Sequence, residues 1–187
     1  MKELFIVPTA AILMLFVTGQ RATASETTIR MEEHGIVLTL PERWELTDLT
    51  DKYTPTPQEK KVPIAWAKDE KGRADIELYA MEAEEGLAID EWVGGLIPRH
   101  LARRSSPYGY ESARAEHKEA TVEPGTTVNI IYYRLHYILP FNRERSLAFV
   151  YFEHAGYYFY MFVYNRRFYP LEWELEKTIL PGLSLLD

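Results

Sequence analysis

The segment Tyr157 to Tyr164 reads YYFYMFVY and is apolar or aromatic at every position. A strand with one face in solvent alternates polar and apolar residues, whereas a strand that is covered on both faces is apolar throughout. Aromatic residues also favour strands. The segment therefore predicts the central strand of a sheet, with a helix packed on one face and further structure on the other.

Three more strands are predicted before this segment. Their intervals are Ala113–Val122, which is polar and typical of an edge strand, Val128–Leu139 and Ser146–Glu153. The turns between the strands are predicted at Pro124-Gly125, Pro140–Arg145 and His154-Ala155-Gly156. Connections this short join antiparallel neighbours, so the C-terminal half predicts a meander.

The N-terminal half also favours strands. Ile29–Leu40 alternates through Ile36, Leu38 and Leu40 and predicts one strand ending at Pro41, which Glu42–Leu46 continues after a turn, with Trp44 closing one end of the core. Val62–Ala67 and Ala74–Met81 predict a hairpin around the charged loop Lys68–Arg73. Asp48–Lys61 is polar, contains Pro55 and Pro57, and predicts a mobile loop.

Two segments have helical periodicity. In Gly86–Arg104, apolar residues recur with a helical period through Ile89, Val93 and Leu96. Asp90 is suited to capping the start of this helix, and His100 is interpreted as helping to end it. Leu171, Leu175 and Ile179 predict a second, short helix that Pro181-Gly182 ends. Hairpins with helices added at the side indicate an α+β fold.

The first 24 residues have the layout of a secretory signal peptide. Lys2 precedes the uncharged run Leu4–Val17, and Ala22-Thr23-Ala24 supplies the small residues of a cleavage site. The run is shorter than the roughly 20 residues that span a bilayer. We therefore expect residues 1–24 to be cleaved near Ala24, leaving one domain, 25–187, in the periplasm or secreted, without a stable membrane anchor.

Composition excludes several classes of function. The chain has no cysteine, which rules out disulfides, thiol chemistry, thiolate metal sites, covalent haem and a lipoprotein anchor. Its net charge of −7 disfavours nucleic-acid binding. Hydrophobic residues make up 47% of the chain, enough for a packed core.

The polar residues do not form a recognised catalytic motif. The histidines, at positions 34, 100, 117, 136 and 154, lack metal-binding spacing, although His136 shares a strand face with Arg134. The serines do not lie in G-x-S-x-G. Glu82, Glu84 and Glu85 form one carboxylate group, and Glu172, Glu174 and Glu176 form a second, interpreted mostly as a solvated face. No catalytic, cofactor-binding or metal-binding residue is therefore assigned, and no cofactor is expected.

Two surface features remain after this search. Tyrosines are concentrated in the C-terminal half, where they suit either a half-buried sheet or a partner-binding patch; they are Tyr132, Tyr133, Tyr137, Tyr151, Tyr157, Tyr158, Tyr160, Tyr164 and Tyr169. Arg99–Arg104 is a basic cluster, typical of a helix end but also suited to phospholipid headgroups or an acidic partner.

The sequence also resembles the PsbP/DcrB-like superfamily. Gly35–Trp44 is similar to that family's opening motif, Ile89–Trp92 to the start of its first core helix, and Phe168–Tyr169 with Leu171–Leu183 to its final helix. The resemblance implies an α/β/α sandwich around a mainly antiparallel sheet and a largely non-catalytic role. Members include photosystem-associated subunits, a Ran-binding import factor and bacterial envelope proteins. Because fold alone does not carry function, the resemblance transfers no site residue.

Together these features predict an exported, non-catalytic binding or accessory protein of the cell envelope. Its partner would be an envelope protein or a small apolar ligand, and its binding surface would be the tyrosine-bearing sheet edge or the loop Asp48–Lys61. The alternatives are a periplasmic hydrolase with a composite site, which folding would assemble from distant residues, and a carrier of a small apolar ligand.

Overall fold

The structure, a computed structural model, describes residues 26–50, 61–104, 112–137, 143–165 and 171–186. The predicted leader and most of the predicted loop Asp48–Lys61 lie outside these residues, as do residues 105–111, 138–142 and 166–170. Within the described ranges, no helix combines the length and apolar character needed to cross a membrane.

The larger of two sheets has seven antiparallel strands in the order β3-β4-β5-β9-β8-β7-β6. These strands are β3 (Trp44–Asp48), β4 (Val62–Asp69), β5 (Asp75–Glu82), β6 (Ser112–Val122), β7 (Thr126–Tyr137), β8 (Arg143–His154) and β9 (Tyr157–Tyr164). The apolar segment forms β9, the middle strand of the seven, as predicted. The β4–β5 hairpin, the meander from β6 to β9 and the edge position of β6 are also confirmed.

The smaller sheet corrects the prediction for Ile29–Leu40. This segment is not one strand, because β1 (Glu26–Met31) and β2 (Ile36–Pro41) form an antiparallel pair around a 3₁₀ turn, Glu32–His34. Gly35 closes the turn with φ +65°, a conformation that favours glycine. After Pro41 the chain does not extend the same sheet but crosses into the larger one as β3, where Trp44 is buried as predicted.

Helix α1 (Ile89–Arg104) covers one face of the large sheet. Its apolar side packs Val93, Leu96 and Ile97 against aromatic residues of β8 and β9, including Phe149 and Phe162. The helix begins three residues later than the predicted Gly86, and Asp90 lies inside its first turn. The predicted apolar period therefore identified the buried side of α1 correctly.

The other face is covered by the small sheet and by a C-terminal helical segment. That segment comprises α2 (Leu171–Glu174), a π-helical turn (Leu175–Ile179) and a 3₁₀ turn (Leu180–Gly182), and it leads into β10 (Leu183–Leu185), which pairs with β2. Leu171, Leu175 and Ile179 are all fully buried, as their spacing predicted. A Cβ on Gly182 would overlap the carbonyl oxygen of Thr39 in β2, so this close approach requires glycine. The predicted α+β sandwich is confirmed, and its second outer layer contains strands as well as a helix.

Candidate functional site

The tyrosine-rich strands do not form an exposed patch. Five of the nine tyrosines are at most 8% exposed: Tyr132, Tyr151, Tyr158, Tyr160 and Tyr164. Tyr133 and Tyr157 are partly buried, while the side chains of Tyr137 and Tyr169 lie outside the described residues. Within the described residues, the tyrosine side chains therefore do not form the predicted binding surface at a sheet edge. The physical reason is that β8 and β9 are interior strands, covered on both faces.

His100 has a different role from the predicted one. Its side chain is 3% exposed, and its ring lies 4.6 Å from that of Phe162 and 5.3 Å from that of Tyr160, measured between centroids. It is therefore part of the aromatic core beneath α1 instead of ending the helix. Within the described residues, no three histidine or carboxylate side chains are grouped in a way that could hold a metal ion.

A buried ion cluster, absent from the predictions, joins three parts of the chain. Nε of Arg43, in the β2–β3 turn, donates a hydrogen bond to Oδ1 of Asp69 at 3.0 Å, and its Nη2 donates to Oε1 of Glu174 in α2. Both carboxylates are fully buried, while the Arg43 side chain is 26% exposed. Oδ2 of Asp69 also accepts a hydrogen bond from the backbone N–H of Arg73 at 2.9 Å. The cluster therefore ties the β2–β3 turn and the β4–β5 hairpin loop to the C-terminal helical segment.

The prediction that Glu174 belongs to a solvated face is wrong, because its side chain is fully buried. The sequence held a signal for this position, because Glu174 lies three residues after Leu171 and next to Leu175, on the apolar side of the helix. Such a burial is tolerated only with a charged partner, and Arg43 supplies one. Because Asp69 and Glu174 are closed off from solvent and bound by an arginine, the arrangement stabilises the fold and does not present a carboxylate to a substrate.

The exposed part of the C-terminal helical segment offers a surface with different chemistry. Trp173 is 50% exposed and is the one large hydrophobic side chain with high exposure in the described part of the chain. Next to it, Nη2 of Arg134 in β7 donates to Oε1 of Glu172 at 3.0 Å. Glu176, one helical turn further on, accepts a hydrogen bond from the hydroxyl of Tyr132 at 3.5 Å. We call Trp173, Arg134, Glu172 and Glu176 the Trp173 patch.

The Tyr132 hydroxyl beside the patch is held in its protonated form. Burial raises the pKa of Tyr132 well above its ordinary value, and the negative charges of Glu176 and Glu172 add to the effect. The phenol therefore stays protonated and keeps donating to Glu176. Nζ of Lys118 in β6 lies 3.7 Å from Glu176, at the border of the patch. The patch thus combines an exposed indole with ion pairs and a hydrogen bond that neighbouring residues of the same helical segment make with β6 and β7.

Strand β6, at the edge of the large sheet, is exposed on both faces. All seven residues from Ala113 to Glu119 are exposed. Beside it runs an open groove whose lining residues are His117, Lys118, Glu119, Asn129, Ile130 and Tyr151. The Tyr151 hydroxyl is hydrogen-bonded to the carboxylate of Asp90 in α1, and burial, followed by this bond, raises the pKa of Tyr151 to about 12. The groove is polar and open, typical of a contact surface for another chain.

The fold can be compared with solved structures. Over 91% of this chain and 98% of the other, the structure superposes on cyanobacterial PsbP (CyanoP) from Synechocystis sp. PCC 6803, with a TM-score of 0.56 and 13% identity. The fold is PsbP-like. A second structure with similarity is the Ran-binding protein Mog1p of Saccharomyces cerevisiae, with a TM-score of 0.50 and 10% identity over 88% of this chain and 97% of that protein.

Sequence comparisons add no closer relation. No family model matches the chain, and no curated protein matches it. At 13% and 10% identity, the two structural likenesses establish the PsbP-like fold alone. The fold implied by the resemblance is therefore confirmed, while membership of the superfamily stays a prediction. The residues that carry function must be argued from this chain itself.

Proposed function

We propose that this protein is an exported, non-catalytic accessory protein of the cell envelope that binds another protein through the Trp173 patch. The observation that carries the proposal is the half-exposed indole of Trp173, since the other large apolar side chains of the described residues are buried or partly buried. Tryptophan and arginine are among the residues most enriched in the small set that dominates binding energy at protein interfaces. The patch contains both.

The arrangement of charges supports a protein partner. Arg134 and Glu172 already form an ion pair, so less side-chain entropy is lost when a partner covers them. The indole provides a rigid apolar area, which suits a shallow pocket on a partner surface. We expect a partner with an apolar pocket for the indole and a polar rim.

Two further observations support the two halves of the proposal. The PsbP-like fold accommodates protein binding elsewhere, since Mog1p is a Ran-binding protein. Export is supported by the order of Lys2, the apolar run Leu4–Val17 and Ala22-Thr23-Ala24. An envelope partner follows from that location.

A site-specific crosslinking experiment tests the binding surface. A photo-crosslinking amino acid at position 173 should give a defined adduct with one envelope protein. The same amino acid at Glu45, an exposed residue of the opposite edge strand, should not. With the purified partner, Trp173→Ala should weaken binding by at least about tenfold and leave the melting temperature unchanged. If position 173 gives no adduct beyond the control, or Trp173→Ala binds normally, the patch is not the binding surface.

Fractionation tests export separately. The chain expressed from its native start should be recovered in the periplasm or medium with its N-terminus near Ser25. A variant with Ile12→Arg and Leu15→Arg interrupts the apolar run and should remain in the cytosol at full length. Recovery of the unmodified protein in the cytosol with its leader intact would refute export.

A further inference from the structure

We propose that the free edge of β6 pairs with β6 of a second copy of this chain, antiparallel and centred on His117. This interaction goes beyond the proposed function, because it uses the sheet edge and leaves Trp173 exposed. It would join two seven-stranded sheets into one continuous sheet.

The edge is available over nearly its whole length. On one side β6 pairs with β7 from Ser112 to Val122. On the other side, the described residues show contact with β10 at the C-terminal end of the strand: Leu185 N–H donates to the carbonyl of Glu123 at 3.0 Å, and Glu123 forms an isolated bridge with Ser184. An unpaired row of backbone N–H and C=O groups is a template for another strand. Because residues 113–119 are exposed on both faces, nothing in the described structure covers this template.

The length and the charge pattern of β6 together favour one register. If the strand pairs with itself over its full length, Ser112 lies opposite Val122 and His117 lies on the twofold axis. Glu116 of each copy is then directly opposite Lys118 of the other, so two cross-strand ion pairs form. The remaining pairs, Ala113 with Thr121, Arg114 with Ala120 and Ala115 with Glu119, contain no like charges.

The neighbouring register is unfavourable. A register centred on Glu116 places the two Glu116 carboxylates opposite each other and Arg114 opposite Lys118. Like charges directly opposite each other destabilise a strand pair. Within one chain, Lys118 Nζ already lies 3.4 Å from Glu116, so both charges stand on the same face, ready to exchange partners. The charges that protect the edge against unrelated strands thus favour a second copy.

The absence of cysteine allows a direct test of this register. Residues directly opposite in an antiparallel pair have Cα atoms about 4.5 to 5.5 Å apart, within disulfide range. His117→Cys should therefore give a covalent dimer under mild oxidation. Ala115→Cys is the matched control: the two copies of position 115 would lie about 14 Å apart and should not crosslink. Ala115→Cys combined with Glu119→Cys should crosslink.

The outcomes of this test are distinct. A dimer from His117→Cys but not from Ala115→Cys supports the register. Crosslinking of Ala115→Cys but not His117→Cys overturns it in favour of one centred on Ala115. A monomer in sedimentation equilibrium at all concentrations overturns the proposal, whatever the crosslinks show.

Charge reversal provides an independent test on the unmodified edge. In the Lys118→Glu variant, Glu116 of each copy lies opposite the new glutamate of the other copy. In the Glu116→Lys variant, Lys118 of each copy lies opposite the new lysine. Each single substitution therefore creates two like-charge pairs and should weaken the dimer by about tenfold. The double variant restores opposite charges and should recover most of the lost affinity. If the double variant is no stronger than the single ones, the proposed ion pairs do not form. The melting temperature of each variant at low concentration verifies the monomer.

This test is separable from that of the proposed function. Trp173→Ala should leave the dimer unchanged, and Glu116→Lys, the charge-reversal variant that keeps the contact of Lys118 with Glu176 in place, should leave the adduct at position 173 unchanged. Loss of one property without the other therefore identifies which proposal has failed.

Discussion

The two edge strands of the seven-stranded sheet differ in length, in exposure to solvent, and in whether buried ion pairs hold them in place. At one edge, β3 has five residues, begins at the buried Trp44 and follows directly after Arg43 of the buried ion cluster. Strand β1 lies beside it. At the other edge, β6 has eleven residues and is exposed from Ala113 to Glu119.

Another chain can add to this fold at only one of the two edges. A short edge strand that is held by buried ion pairs and lies beside another strand leaves little room for a further chain. A long exposed edge does, and it requires charges to prevent unspecific pairing. We therefore expect β3 to contribute to stability and β6 to contribute to association.

The largest effect is expected at the tethered edge. Arg43→Met leaves Asp69 and Glu174 buried without their cation and should lower the free energy of unfolding by about 3 kcal/mol or more. Its matched control, Arg114→Met on β6, removes an exposed charge and should change that free energy by less than about 0.5 kcal/mol. Urea unfolding at low protein concentration measures both. Equal effects of the two substitutions would contradict the contrast between the edges.

The next effect tests the attachment of the C-terminal segment that the cluster holds. Gly182→Ala places a methyl group where it would overlap the carbonyl oxygen of Thr39, and it should lower the free energy of unfolding by roughly 1 to 3 kcal/mol. Gly94→Ala is the control. Gly94 lies in α1 with open space at its Cβ position, so alanine should stabilise the protein by up to about 1 kcal/mol. Thermal unfolding gives the sign of each change, and a neutral Gly182→Ala would show that β10 can move away from β2 without loss.

The smallest expected effect is a pH dependence of the free energy of unfolding, which arises from His34 in the turn between β1 and β2. Burial lowers the pKa of His34 below its ordinary 6.5, although the charges of Glu33 and Asp48 oppose the shift. The unfolded chain therefore binds the proton at a higher pH than the folded chain does. The free energy of unfolding should fall as the pH drops below about 6.5 and should level off below the folded pKa.

His34→Phe removes this contribution, so the difference in stability between variant and parent should vary with pH in that window. Urea unfolding at several pH values measures the stability of both proteins. A His34→Phe difference that is independent of pH would refute the assignment.

Much of the fold could be predicted because its signals are local. The apolar run of β9 identified the central strand, and the periodicity of α1 identified its buried side. The division of Ile29–Leu40 was missed because the alternation continues across the turn, which only Gly35 marks. Strand β10 has three residues, too few for a periodic signal.

The polar sites were less predictable because they depend on distant residues. Arg43 meets Asp69 and Glu174 across 26 and 131 positions of sequence, a pairing that no local pattern encodes. Glu174 alone had a local signal, its place on the apolar side of the helix. The tyrosines were ambiguous in sequence because a tyrosine suits both a buried sheet and a binding patch. Only the strand order, which places β8 and β9 inside the sheet, shows that these tyrosines are buried.

Hydrogen–deuterium exchange as a function of protein concentration tests the contrast between the two edges most directly. As the concentration rises, backbone amides of residues 112–122 should gain protection, while those of residues 44–48 should not change. Protection of residues 44–48 instead, or no concentration dependence in either strand, would contradict the claim that this PsbP-like sheet is closed at β3 and open for association at β6.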